Sequence, residues 1–315
     1  MMKIKWVIAH EPAYLFLRVA EDFQRIVNKK SKDVKIDIEI LTADDYNKKY
    51  QPTEPVSRLN LDTLVRDNTV QITQMITSVL AKKFNKQMHA FDMPYIFRDH
   101  DHAQRVIEGE VGTKMLNSFP AESKLKGLAY TYSGGFRLLT LKDKVKSLAE
   151  IEGSSIRSGY SPQAQDTLTS FGVTPVAGEL ERVKELVQNN DAVGAEYVSQ
   201  RILPDQQDEW INTIINTEHS LFMTNILVNT DWWNSLSVEL QQIFEEAALE
   251  AARNERELSV NDGKQSLETL KAQGVEVIEL SAEEKEELKT RSAWIYEKYN
   301  DSYFEPGLIK SIQIQ

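Results

Sequence analysis

The sequence predicts an α/β protein of two lobes joined by several chain crossings. Three observations carry that prediction: a β-α-β opening, an alternation of short strand-like and helical stretches that continues along the chain, and a capped helical run after Ser237 too long for one small lobe. In the opening, Lys3 to Ala9 reads as a strand, after which Ala13, Phe16, Leu17, Ala20, Phe23, Ile26 and Val27 recur at helical spacing. Val34, Ile36, Ile38 and Ile40 alternate with Lys35, Asp37 and Glu39, the period-two pattern of a strand with one wet face. Asp44 to Leu61 is polar and holds Pro52 and Pro55, so it reads as an irregular excursion, long for a compact domain and of the kind that touches ligands. Gly127 to Tyr132, Phe136 to Leu141, Ile156 to Arg157 and Ala192 to Glu196 read as short strands, separated by helical stretches such as Ser161 to Phe171 and Glu179 to Gln188. Ser237 caps a run in which Leu240, Ile243, Phe244, Ala247, Ala248 and Ala251 hold one face. Good helix formers continue to about Lys271, roughly 50 Å at about 1.5 Å per residue, with Gly263 the natural place for a bend. After Gly274, Val275 to Leu280 is another strand, and Ser281 with Glu284 makes a capping box that opens a last helix bearing Leu288, Trp294 and Tyr299.

At 315 residues the chain suits about two domains of roughly 150 residues. No repeat, low-complexity tract or Gly/Ser/Pro-rich linker divides it, so two lobes joined by several crossings suit a hinge around a cleft. The composition, 41% apolar and 27% charged, is that of a folded globular protein and excludes collagen-like and disordered classes. The net charge of −11 repels phosphate backbones and anionic lipid, which argues against nucleic-acid binding. Without cysteine there is no disulfide, thiolate metal site or cysteine nucleophile. Apolar runs such as Trp6 to Ala9 and Ile226 to Val228 fall far short of the roughly 18 residues that span a bilayer. The Met1-Met2-Lys3-Ile4-Lys5 start lacks the apolar segment of a secretory signal, which leaves a cytosolic protein or one whose leader has been removed.

Catalytic motifs are lacking: there is no GxxxxGK[S/T], GxGxxG, HExxH or GxSxG. His100 and His102, flanked by Asp99 and Asp101, offer metal-ligand chemistry, but without a third and fourth ligand they read as a solvated helix start. His10 and Glu11 follow the first strand, where open α/β sheets face their ligands, and read either as site residues or as a helix cap or satisfied polar pair. Glu245-Glu246 and Glu283-Glu284 lie on polar helical faces as solvated charge. Trp232-Trp233 is expected to pack beneath the start of the long helix.

Phe91-Asp92-Met93-Pro94-Tyr95-Ile96-Phe97-Arg98-Asp99, with His102-Ala103, Arg105-Val106 and Gly109-Glu110-Val111-Gly112, resembles a stretch of the solute-binding proteins of TRAP transporters, the tripartite ATP-independent periplasmic systems. Gly135-Phe136-Arg137 with Thr140 is similar to that family's GFR motif, and Leu148 to Ile151 with Gly153 to Arg157 to the segment that ends in its KIR motif. Asn190 to Glu196 resembles the family turn that precedes a ligand-contacting residue, and Asn229 to Leu236 the approach to its long helix. The resemblance covers roughly residues 4 to 300.

It implies a two-lobed type II periplasmic-binding-protein fold, one lobe formed by residues 1–133 plus about 222–255 and the other by 134–221 plus about 256–315. The long helix, about 238–272, would span both lobes. It further implies that Arg157 holds a substrate carboxylate, for which a planar guanidinium with two parallel hydrogen bonds is better suited than a lysine. Arg137 becomes either a second cleft residue or a structural ion pair. Glu196 belongs to the ligand-proximal turn, and Tyr197 stands where the family usually carries Asn, exchanging an amide for an aromatic able to stack on a ring or shrink the pocket. The short Val176 to Glu179 segment lacks an aromatic wall. Gln74 and Thr77 correspond to positions that reach the ligand, as do His10 and Glu11, whose carboxylate could receive the cationic end of a zwitterion such as ectoine.

The expected function is capture of a small organic acid or sugar acid in an interlobe cleft, with closure by hinge motion and delivery to the small and large membrane subunits of the permease. The expected setting is the periplasm and the expected state a monomer, with no catalysis, cofactor, metal or nucleic-acid partner. A zwitterion binder, a soluble ligand sensor, and an α/β enzyme with Glu11 or His10 as base and Arg157 as clamp are the alternatives.

Overall fold

The computed structural model describes residues 2–9, 13–31 and 34–315. Its strands are β1 (Met2–Ile8), β2 (Ile36–Thr42), β3 (Ile72–Ile76), β4 (Leu125–Leu141), β5 (Ser155–Ser158), β6 (Thr174–Ala177), β7 (Gly194–Val198), β8 (Thr213–Asn216), β9 (Leu221–Asn229) and β10 (Glu276–Glu279). The chain folds as two units. The first takes residues 1–85, 107–133 and 223–258, the second 86–106, 134–222 and 259–315. Four elements, β4, β9 and the helices His100–Glu108 and Val238–Ala272, contain residues of both.

In the first unit the strand order is β2-β1-β3-β9-β4. The β1 strand runs parallel to β2 and β3, while β9 returns antiparallel to β3. The amphipathic Ala13–Lys30 helix closes one face of this sheet. Leu15, Phe16, Val19, Phe23 and Val27, spaced at three and four residues, meet Trp6, Ile38 and Phe244 in one core. Phe23 packs edge-on against both Trp6 and Phe244, with ring centroids 5.3 Å apart in each case. Trp232 and Trp233 also stack edge-on to Phe244, which makes them packing residues of the long helix's first turns.

In the second unit the order is β10-β8-β4-β7-β5-β6, with β4 antiparallel to β7 and β8, β5 parallel to both neighbours, and β8 parallel to β10. Its core gathers Leu139, Leu141, Ile156, Leu168, Phe171, Ile215 and Leu288. Residues 86–106, which the sequence assigns to the first lobe, cluster with this second unit. Gln87 accepts from the Glu305 backbone, Tyr296 donates to the Pro94 carbonyl, and His102 bonds the Ile312 carbonyl. These are contacts to the C-terminal helices, which no local pattern announces.

Several expectations change. Asp44 to Leu61 is not irregular throughout, because Ala43–Tyr50 is a helix whose Thr42 cap accepts from the Asp45 N–H and whose Tyr46 is buried. One buried ring anchors a helix too polar to declare itself. The two strands read on either side of Ser133 are one strand of 17 residues, β4. The glycines within it explain the error: Gly134 has φ +136°, and a Cβ there would come 2.3 Å from Val198 Cγ2. The helix read as the last is two, Ala282–Arg291 and Ala293–Tyr303, the first opened by the Ser281–Glu284 capping box, and a further helix, Leu308–Gln313, follows them. The helix Val238–Ala272 runs past Gly263, whose missing side chain lets Ser199 Oγ approach to 2.8 Å of where a Cβ would stand. Among the described residues no helix is long and apolar enough to cross a membrane.

Candidate functional site

Strand β5 is four residues long, and its alternation sends Ile156 into the second unit's core and Arg157 to the opposite face. Arg157 lies opposite Ala195 of β7 on one side and Val176 of β6 on the other. Its guanidinium reaches past the end of β6, where Nε and Nη2 donate to the Gly178 carbonyl at 2.9 and 2.5 Å, and Nη1 donates to the Glu196 carbonyl at 3.2 Å. Three of the five N–H donors of a guanidinium are thereby used, leaving one hydrogen on each terminal nitrogen. The residue is only 5% exposed. Burial lowers its pKa to about 10, the nearby Glu196 charge opposing and Arg137 adding to the effect. Arg157 is therefore a cation held in place by neutral carbonyls.

Glu196 follows Ala195, the register partner of Arg157, along β7 but faces the other way. It pairs with Leu139 of β4 on the core face, whereas Tyr197 pairs with Leu138 on the face that Arg157 shares. The Glu196 carboxylate is fully buried, with Arg137 Nη1 donating to Oε2 at 3.1 Å and His219 Nε2 donating to Oε1 at 3.0 Å. The other ring nitrogen of His219 faces Thr217 Oγ1 at 2.8 Å, and Phe171 stacks edge-on to the imidazole. Burial strongly opposes ionisation of Glu196, yet the Arg137 charge, the His219 hydrogen bond and the Arg157 charge together hold its carboxyl at about 2. Arg137 also lies over the Phe222 ring at 4.1 Å. Of its two sequence readings, the geometry gives Arg137 the ion pair.

Tyr197 is buried, and its hydroxyl donates to Asp205 Oδ2, which lies 3.2 Å from Arg201 Nε. Burial and the Asp205 charge push the phenol well above its usual range. The hydroxyl that replaces the usual amide is thus engaged within the protein.

The first-unit candidates sit on β3 and just after it. Gln74 Nε2 donates to Thr131 Oγ1 at 2.6 Å and Thr224 Oγ1 at 2.9 Å, while its Oε1 is buried with no hydrogen-bond partner among the described residues. Thr77 donates to Asn225 Oδ1 at 2.7 Å. His10 and Glu11 lie outside the described residues. His102 is not part of a solvated helix start: it is fully buried, its Nδ1 accepting from the Arg98 backbone and its Nε2 bonding the Ile312 carbonyl. Both nitrogens are occupied by main chain, and among the described residues no group of three or more metal-ligating side chains converges.

Sequence reasoning missed His219, Asp205, Arg201 and the Gly178 carbonyl. Glu196 and His219 are 23 residues apart, so no spacing rule links them. Asp205 lies four residues beyond Arg201, a helical spacing that was a usable signal.

Residues 15–302 match the family described as bacterial extracellular solute-binding protein, family 7 (DctP). The C4-dicarboxylate-binding protein DctB of Bacillus subtilis is 25% identical over 281 residues, 89% of this chain and 77% of that protein. The 2,3-diketo-L-gulonate-binding periplasmic protein YiaO of Escherichia coli is 27% identical over 191 residues, 61% of this chain and 58% of that protein, so this match spans under two thirds of its length. A TRAP periplasmic solute-binding protein from Pseudomonas putida F1, solved with bound D-glucuronate, matches with a TM-score of 0.83 at 25% identity, covering 100% of this chain and 97% of that one.

Proposed function

The chain belongs to family 7 of the bacterial extracellular solute-binding proteins, and on that premise we propose that it captures a small carboxylate-bearing solute, an organic acid or a sugar acid. It works outside the cytoplasmic membrane and hands the solute to the two membrane subunits of a TRAP transporter. The observation that carries this reading is Arg157. A buried guanidinium with three N–H groups fixed on carbonyls is rigid and desolvated, and its remaining hydrogens, one on each terminal nitrogen, match the two oxygens of a carboxylate. Fixing the cation in advance lowers the ordering cost of binding, so more of the ion-pair energy appears as affinity. The ligands named for the relatives, a C4-dicarboxylate, a diketogulonate and a glucuronate, share that group and support the reading.

No covalent step is assigned: the ligand is bound and released unchanged. The test is a thermal-shift screen of ligand-stripped protein against organic acids, uronates and aldonates, since a solute that binds only the folded state raises the melting temperature. At least one acid is expected to stabilise the wild type and to leave Arg157→Ala unshifted. Wild-type-like stabilisation of that variant would refute the anchor.

A further inference from the structure

We infer that the ligand is a monoanion, one carboxylate on an uncharged polar body, bound in preference to the dicarboxylate of the same skeleton. This inference rests on the reading of Arg157 as the anchor. The argument is a count of buried charge. Among the described residues every other buried Arg, Asp and Glu side chain already lies in an ion pair: Asp62 with Lys83, Arg137 with Glu196, Arg201 with Asp205, Glu255 with Arg18, and Arg256 with Glu108. No described lysine is buried. Arg157 hydrogen-bonds only carbonyl oxygens, so among the described residues it is the one buried Arg outside a direct ion pair; with Arg137 and Glu196 it leaves one positive charge in excess, which one carboxylate neutralises.

Among the described residues a second carboxylate finds no further buried cation free of an ion pair. A second carboxylate beside Arg137 shares that one cation with Glu196, so two buried cations would face three carboxylates. Glu196 does not escape by taking up a proton near neutrality, because its own carboxyl is held at about 2. Arg201 is likewise held by Asp205, whose other contact is the Tyr197 hydroxyl. Both committed carboxylates repel a further negative charge, while neutral hydroxyls carry no such penalty.

The test is calorimetric titration of ligand-stripped protein at pH 7.5 with pairs that differ only in a terminal CH2OH or COO⁻: D-gluconate and D-glucarate, erythronate and meso-tartrate, 2,4-dihydroxybutyrate and malate. Arg157→Met, which keeps the side chain's bulk and removes its charge, is titrated in parallel. In the pair that binds best, the monocarboxylate is expected to bind at least tenfold tighter, and Arg157→Met to lose detectable binding. A dicarboxylate that binds wild type as tightly as its partner, with binding lost in Arg157→Met, overturns the monoanion inference and leaves the anchor standing. Binding retained by Arg157→Met, or no binding by any of the six, overturns the anchor and this inference with it. The melting temperature of the free variant separates loss of binding from loss of fold.

Discussion

At the residue scale the site turns on two buried groups of opposite standing. Glu196 is fully compensated, and removing its charge while keeping its shape isolates what that compensation is worth. Glu196→Gln leaves Arg137 buried beside a neutral amide, for which about 3 kcal/mol or more of lost stability is expected in chemical denaturation. The effect carries a pH signature. A carboxyl depressed from the ordinary 4.5 to about 2 gives stability that is complete above 4.5 and is lost as pH falls toward 2. The wild type is therefore expected to lose stability over that window more steeply than Glu196→Gln, and equal slopes would contradict the assignment. Arg157 was singled out because it sits in a motif, and the structure adds its burial among main-chain carbonyls. His219 was not, since its role follows from β4 bringing β7 and the 217–220 segment together, a long-range pairing that no local pattern encodes.

At the scale of single elements, caps and strand alternation were the legible features, and conformational exceptions were not. The Ser281–Glu284 capping box read from four residues is formed as expected, and Ser281→Ala should cost about 1 kcal/mol. The polar Ala43–Tyr50 helix escaped notice because two buried residues, Ala43 and Tyr46, are too few to set up a period. Strand β4 was split because glycine usually marks a break, whereas Gly134 is where a continuous strand passes tightly against Val198. Gly134→Ala should destabilise by about 1–3 kcal/mol, since φ +136° is strained for any L side chain and the new methyl meets Val198 at 2.3 Å. Gly178→Ala is the control. A Cβ there meets nothing closer than Leu186 at 3.5 Å, so its stability should stay within about 0.5 kcal/mol of wild type. A comparable loss in both variants would show that the strain at Gly134 is not what matters.

At the scale of the molecule, the alternation of elements predicted the fold class, and the belonging to a solute-binding family agrees with it. What the sequence did not disclose is that residues 86–106 go with the second unit, because that association is made by contacts more than 190 residues along the chain, such as Tyr296 to Pro94. Each unit has its own core, yet β4, β9 and the helix Val238–Ala272 belong to both, so neither core can be lost without unravelling elements of the other. Phe244→Ala in the first core and Leu288→Ala in the second should each lower stability by about 2–5 kcal/mol and shift one common calorimetric transition. Two separable transitions would show that the shared elements do not couple the cores.

The way Arg157 is held bears on how such a protein changes over evolutionary time. Its guanidinium is fastened to the main chain at Gly178 and Glu196, and main-chain carbonyls survive almost any substitution. On the role proposed for Arg157, side chains around it are free to drift, altering which body is accepted behind the carboxylate, while the grip on the carboxylate itself persists. A lineage built this way can explore new nutrients one substitution at a time without passing through a form that binds nothing.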